Sequence, residues 1–242
     1  MVSSLLAGSP KLGVLIDPDH HEDPKLEILL EHLSLNLADI ILVGGSTSRV
    51  TAVDQLILRI KARTTTPILL FPGNVLQISR HADGLLLPSL ISGRNAEYLI
   101  GKHVESARIL KKSRLSIISM GYILIEGGKV STTSYITNTV PIPSHLGALA
   151  ADTALAGELL GMQCIYLEAG SGANQPVKTE LIKEVRDVLS IPLMVGGGIT
   201  TPDALLGARQ SGADVVVLGS ILERDPDAIL TFHKVWTDKV LT

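Results

Sequence analysis

The chain has 242 residues, of which 45% are hydrophobic but only 3% aromatic, and its formal net charge is −3. A slightly acidic chain lacks the basic surface that nucleic acid requires, so no nucleic-acid partner is expected. The start carries no basic segment followed by a long apolar one, and no apolar run reaches the roughly 18 residues of a membrane span. These features predict a soluble, cytoplasmic protein.

The apolar content is sufficient for one large aliphatic core. No shift in composition marks a linker, so a single domain over residues 1–242 is expected, a length that α/β barrels commonly have. The only cysteine, Cys164, lies in an apolar run and is expected to be a buried thiol.

Apolar runs alternate with helical patterns along the first half of the chain. Each run is continuous rather than alternating, as in strands that are covered on both faces. The runs are Lys11–Ile16, Ile40–Val43, Pro67–Phe71, Gly84–Leu87 and Leu115–Ile118. Only Val75–His81 is available for a helix between the third and fourth runs, which is short for a crossover. The next helix is expected from about Asn95 to Leu110.

The second half adds three runs: Cys164–Tyr166, Leu193–Val195 and Val215–Leu218. Before them, Gly121–Glu126 is interpreted as a strand extended into a turn, and Lys129–Pro143 as a long loop that could cover a substrate. Eight strands with intervening helices predict a parallel (β/α)8 TIM barrel rather than an open doubly wound sheet.

An Ala-Asp pair followed by an apolar run occurs at Ala38, Ala82 and Ala213. The spacing of these segments agrees with their being the second, fourth and eighth strands of such a barrel.

Glycines follow the last three strands, where a barrel has its active-site rim. Backbone N–H groups in such turns can approach a phosphate oxygen because no Cβ holds the backbone away. After Gly198, Thr201 and Pro202 begin a helix whose free N–H groups and positive dipole end favour an anion. The residues predicted to bind a phosphorylated substrate are Tyr166, Leu167, Glu168, Ala169, Gly170, Ser171, Gly172, Gly197, Gly198, Gly219 and Ser220.

Two carboxylates at strand ends suggest chemistry at this rim. Glu168 has no local cationic partner, so burial would raise its pKa toward the range of a general base. Asp17 is a candidate ligand for Mg²⁺, which takes oxygen donors, and Ser46 could supply another oxygen. The adjacent His20 and His21 have no third partner spaced to complete a transition-metal site.

The order of these motifs resembles the geranylgeranylglyceryl phosphate synthases over nearly the whole chain. The resemblance rests on Asp17-Pro18-Asp19, Gly44-Gly45-Ser46, Ser92–His103, Tyr166–Ala173 and Val195–Ile199. It implies a barrel in which an irregular segment replaces the third helix, in agreement with the short Val75–His81. The chain departs from the family pattern at His20, where Lys is usual, at Ala96, where Pro is frequent, and at Ser220, where Asn is frequent.

The resemblance also implies the reaction. A prenyl group would pass from geranylgeranyl diphosphate, or a similar polyprenyl diphosphate, to the 3-hydroxyl of sn-glycerol 1-phosphate. Glycerol phosphate would lie on the glycine turns, Asp17 and Ser46 would hold Mg²⁺ with the diphosphate, and Glu168 and Tyr166 would be catalytic, with Glu168 taking the proton. A homo-oligomer and a peripheral contact with a membrane during product release are further expectations.

Two other functions fit the residues themselves. Another phosphate-binding barrel enzyme, such as a sugar-phosphate isomerase or lyase, could use Asp17 and Glu168 as an acid and base pair. A barrel could also bind a phosphorylated ligand without catalysis. An apolar groove beside the cavity, long enough for a prenyl chain, would separate the prenyltransferase from both.

Overall fold

Eight parallel strands close into a barrel, with each strand paired to its neighbours in chain order and the last paired to the first. The structure is a computed structural model that describes residues 5–6, 8–45, 50–73 and 77–238, without the side chains of 50–52. The strands are β1 (Lys11–Ile16), β2 (Ile40–Val43), β3 (Ile68–Leu70), β4 (Gly84–Leu90), β5 (Ser116–Leu124), β6 (Cys164–Glu168), β7 (Leu193–Gly196) and β8 (Val215–Leu218). The predicted (β/α)8 barrel is confirmed.

Helices surround this barrel. They are α1 (Pro24–Leu33), α2 (Val50–Lys61), α3 (Lys102–Ser113), α4 (Thr132–Thr137), α5 (Gly147–Leu159), α6 (Thr179–Val188), α7 (Pro202–Gln210), α8 (Ser220–Arg224) and α9 (Ala228–Asp238). Between β3 and β4, the described residues form no helix, as expected, although Val75 and Leu76 lie outside the described part. Among the described residues, no helix is both long and apolar enough to span a bilayer.

Side chains alternate between the barrel interior and the layer beneath the helices, which is why the strands are apolar throughout. On β2, Ile40 and Leu42 point inward, while Ile41 and Val43 pack against the helices. Cys164 and Tyr166 belong to the interior group, and Cys164 is fully buried as expected.

The Ala-Asp repeat has a structural cause. Each aspartate stands just before an even-numbered strand and accepts a hydrogen bond from a backbone N–H at the start of the preceding strand. These bonds, all 2.8 Å long, join Asp39 to Leu12, Asp83 to Ile68, and Asp214 to Leu193. The repeat therefore fixes the register of strand pairs at the end of the barrel opposite the glycine turns.

Two predicted segments differ from the structure. Gly121–Leu124 continues the fifth strand rather than forming a new one. The predicted loop Lys129–Pro143 is wrong over α4, which begins with a capping box: Ser131 Oγ accepts from the Ser134 N–H, and Ser134 Oγ accepts from the Ser131 N–H. Asn138 ends α4 in the left-handed conformation, with φ +51°.

The helix expected from about Asn95 exists, but its first turn is not α-helical. Glu97–Gly101 forms a π-helical turn, and α3 begins only at Lys102. Such wide turns are frequent at functional sites. This one places Tyr98 beside the cavity described next.

Candidate active site

A cavity of about 210 Å³ opens at the carboxyl ends of the strands. Most of the predicted site lies in its lining: Asp17 after β1, Tyr166, Glu168 and Ser171 on and after β6, Gly197 and Gly198 after β7, and Gly219 and Ser220 after β8. Leu167 and Ala169 instead direct their side chains into the layer beneath the helices, so only their backbone atoms could contact a substrate.

Glu168 is the last residue of β6 and is 7% exposed. Its Oε1 accepts a hydrogen bond of 2.7 Å from the Gly170 N–H. Burial raises the pKa of Glu168 above its ordinary value of 4.5, although interactions with the Tyr166 hydroxyl and the Gly170 N–H act in the opposite direction. This direction agrees with the one expected from the sequence. A carboxylate with a raised pKa is suited to accept a proton from a substrate hydroxyl.

Three aromatic rings form a wall beside this carboxylate. The ring centroids of Phe71, Tyr122 and Tyr166 lie 5.4 to 5.8 Å apart. Burial, and then the negative charge of Glu168, raise the pKa of both tyrosines well above its ordinary value. Their hydroxyls therefore stay protonated at neutral pH and are available as hydrogen-bond donors.

Only glycine fits both positions of the turn after β7. Gly197 and Gly198 have φ values of +79° and +69°, a region that other residues rarely adopt. A Cβ at Gly197 would collide with the Glu168 carboxylate, and one at Gly198 would lie 2.7 Å from the Gln175 carbonyl oxygen. Helix α7 follows, capped by Thr201, whose hydroxyl accepts from the Ala204 N–H at 3.2 Å. The turn thus brings bare backbone to the cavity, as a phosphate site requires.

The part of the cavity rim that follows β8 and β1 is acidic. Asp17 Oδ1 accepts from the Asp19 N–H at 2.9 Å, and its carboxylate lies directly against Gly45. Glu223, in α8, lines the same cavity. Burial raises its pKa, the charge of His20 acts in the opposite direction, and the charge of Asp17 adds to the increase. The second proposed metal ligand, Ser46, lies outside the described residues.

These oxygen donors are of the type that Mg²⁺ prefers, since that ion is commonly held by one or two carboxylates together with substrate phosphate oxygens. No group of three or more His, Cys, Asp or Glu side chains in the described part of the chain is arranged to hold a metal by itself.

Glu223 was not predicted from the sequence. The only signal is its position, three residues after Ser220 and therefore one turn along the helix that follows the last glycine turn.

A second cavity of about 60 Å³ adjoins the first and shares Pro72, Gly73, Pro88 and Tyr98 with it. Its other lining is mainly aliphatic and includes Ile78, Leu85, Leu87 and Leu110. It lies where the third helix would stand in a regular barrel, so the irregular segment leaves apolar strand surface accessible. This cavity, called the apolar groove below, has the kind of lining that a prenyl chain requires.

Together, the fold and the site define a (β/α)8 barrel whose carboxyl rim combines glycine turns suited to an anion with a buried carboxylate and an apolar side groove. Residues 11–236 match the PcrB family, and the chain belongs to that family.

Curated relatives support the same placement. A geranylgeranylglyceryl phosphate synthase of Spirosoma linguale is 46% identical over 93% of this chain and 90% of its own length. One of Chitinophaga pinensis is 42% identical over 92% of this chain and 88% of its own. The crystal structure of (S)-3-O-geranylgeranylglyceryl phosphate synthase from Thermoplasma acidophilum, in complex with sn-glycerol-1-phosphate, is 33% identical, with a TM-score of 0.87 over 96% of this chain and 94% of that one. The resemblance drawn from the motifs is confirmed.

Proposed function

We propose that this chain transfers a prenyl group, most simply geranylgeranyl, from its diphosphate to the 3-hydroxyl of sn-glycerol 1-phosphate. The observation that carries the proposal is the position of Glu168. Its carboxylate lies against the glycine turn after β7, in a cavity that adjoins the apolar groove. The relatives named above and the bound sn-glycerol-1-phosphate in one of them support the same substrates.

The glycerol phosphate would be held by its charged end. The turns at Gly197–Gly198 and Gly219–Ser220, with Ser171, offer backbone and hydroxyl donors to the phosphate oxygens. The glycerol carbons would then extend across the cavity floor toward Glu168. Fixing the alcohol in this way removes much of the entropic cost of bringing two substrates together.

The chemical step is a nucleophilic displacement. Glu168 accepts the proton of the 3-hydroxyl, and the hydroxyl oxygen forms a bond to the first carbon of the prenyl chain. The bond between that carbon and the diphosphate oxygen breaks, and its electron pair leaves with the diphosphate. The Tyr166 and Tyr122 hydroxyls, which stay protonated beside Glu168, hold the reacting groups in place by donating hydrogen bonds.

We further propose that Asp17, with the Ser46 hydroxyl expected from the sequence, holds Mg²⁺ beside the diphosphate. The ion would neutralise charge that develops on the leaving group. The prenyl chain itself would occupy the apolar groove, where Leu85, Leu87 and Leu110 offer aliphatic contacts.

The sugar-phosphate alternative uses the same anion site but gives no role to the groove. A sugar would need polar contacts along its length. Lys102, His103 and Ser106 do line the groove, but most of its surface is the aliphatic part formed with Ile78, Leu85 and Leu87. The apolar lining therefore favours a hydrocarbon substrate.

Two expectations, a homo-oligomer and a peripheral contact with a membrane, stay predictions, and an exposed apolar surface is where either contact would form. Val130, Tyr135 and Val140 are 78%, 82% and 84% exposed and lie on or beside α4, whose Thr133 and Ile136 line the cavity. Light scattering tests the homo-oligomer, and sedimentation with lipid vesicles tests the membrane contact.

Incubation with sn-glycerol 1-phosphate, Mg²⁺ and labelled prenyl diphosphates of several lengths tests the proposal directly. An ether-linked, solvent-extractable product is expected, formed fastest from one chain length. The enantiomeric glycerol phosphate serves as the matched control. If none of the prenyl diphosphates yields product, the proposed function is wrong.

A further inference from the structure

The described lining of the main cavity carries negative charge although both proposed substrates are anions. It includes Asp17, Glu168 and Glu223, and no lysine, arginine or histidine. Backbone N–H groups supply only partial positive charges to a phosphate. A cationic side chain close to the glycine turns would therefore contribute strongly to substrate affinity.

Lys129 places such a cation at the glycine turn that follows β6. Gly172, with φ +61°, ends that turn, and a Cβ built on it would lie 3.1 Å from Lys129 Nζ. Ser171, the residue before, lines the main cavity. The ammonium group thus lies at the edge of the anion site.

Lys129 has no carboxylate partner within salt-bridge distance among the residues that the structure describes. Lys61 and Lys102, by contrast, are paired: Lys61 contacts Asp83 at 2.7 Å, and Lys102 contacts Glu97 at 2.8 Å. The charge of Lys129 is therefore available to a bound anion rather than neutralised by the protein.

Backbone hydrogen bonds next to Lys129 fix its position relative to the anion site. The Gly127 carbonyl accepts hydrogen bonds from the Asn174 and Gln175 N–H groups at 2.9 and 3.2 Å, and Asn174 Nδ2 donates to the Gly128 carbonyl at 3.1 Å. Asn174 and Gln175 belong to the same loop as Gly172. The segment before α4 and the phosphate-binding loop thus form one hydrogen-bonded unit.

We propose that Lys129 is a binding residue for the phosphate of sn-glycerol 1-phosphate, an assignment that rests on the proposed function. Its ammonium group contacts the phosphate oxygens from the Ser171–Gly172 side, opposite the turns after β7 and β8. Lys129 is exposed, and a charge-assisted hydrogen bond to the phosphate holds its ammonium group over the anion. Lys129 contributes to substrate binding, whereas Glu168 accepts the proton.

Calorimetric titration with sn-glycerol 1-phosphate tests this assignment in Lys129→Met. The dissociation constant should rise about tenfold, as expected for loss of one charge-assisted contact at an exposed site. Its dependence on salt concentration should become weaker, because one fewer cation contributes to binding. The KM for glycerol phosphate should rise by a similar factor, while kcat at saturation should stay within about twofold.

Two matched variants complete the experiment. Lys183→Met removes the same charge from the exposed face of α6 and should bind like the wild type. Lys129→Arg keeps the charge and should recover most of the lost affinity. Equal affinity and equal salt dependence in Lys129→Met and wild type would overturn the assignment. A wild-type chain that does not bind sn-glycerol 1-phosphate overturns the proposed function itself, and the assignment with it.

Discussion

The Gly170 N–H donates a hydrogen bond of 2.7 Å to Glu168 Oε1, so the loop predicted to hold the phosphate also orients the predicted base. Both groups come from the stretch at the end of β6, and Gly197 lies directly against both the carboxylate and the Gly170 nitrogen. Substrate binding and proton transfer are therefore built on one short segment. This geometry allows the two roles to be separated by substitutions that keep the segment in place.

Glu168→Gln should lower kcat by about 10²- to 10⁴-fold, the usual contribution of a general base. The amide keeps the size of the carboxylate and can still accept from the Gly170 N–H, so glycerol phosphate should bind with little change. Steady-state kinetics and calorimetry on the same preparation check both expectations. Turnover equal to that of the wild type would remove Glu168 from the base role.

The same substitution should alter stability in a way that depends on pH. Burial raises the pKa of Glu168 in the folded chain, so the folded state binds its proton more tightly than the unfolded state does. The stability that this group contributes is present below its ordinary pKa of 4.5 and is lost as pH rises through the raised value. Glu168→Gln, which cannot ionise, should therefore have a higher Tm than wild type at neutral pH.

Calorimetric melting at several pH values measures this difference in Tm. The gap between the two proteins should narrow as pH falls toward 4.5. A buried carboxylate that is needed for catalysis lowers the stability of the folded protein. A wild-type Tm that equals or exceeds that of the variant at neutral pH would show that the carboxylate is better solvated than its burial indicates.

The sequence predicted the barrel and the glycine rim because both follow from chain order. Once the strands are counted, their carboxyl ends must lie at one edge, and Glu168 and Gly197 must lie near each other. Glu223 and the groove beside Tyr98 could not be predicted, because they depend on how a helix and an irregular segment pack. Helix α4 was missed because Ser131–Thr137 has no apolar period and its start is marked only by serines.

Asp17→Asn should raise the Mg²⁺ concentration needed for half-maximal turnover by about tenfold or more, since one anionic ligand is lost. Asparagine keeps the oxygen that accepts from the Asp19 N–H, so the turn at Pro18–His20 should persist. Titration with Mn²⁺, followed by electron paramagnetic resonance, measures metal affinity without turnover. An unchanged affinity for Mn²⁺ in the presence of diphosphate would place the ion elsewhere.

Gly197→Ala should abolish detectable turnover, whereas Gly161→Ala should not. Both glycines have positive φ, +79° and +87°, so the backbone strain of alanine alone should cost each variant about 1–2 kcal/mol of stability, and the collisions at Gly197 add to that cost. A Cβ at Gly161 meets nothing within 4 Å, whereas one at Gly197 collides with the Glu168 carboxylate. Comparison of the two variants therefore separates the effect of backbone strain from the effect of the close contact between Gly197 and Glu168. Thermal melting should show a loss in both variants, and glycerol phosphate binding should be lost only in Gly197→Ala. Normal binding in that variant would mean that the turn after β7 can move away from Glu168 without affecting the phosphate site.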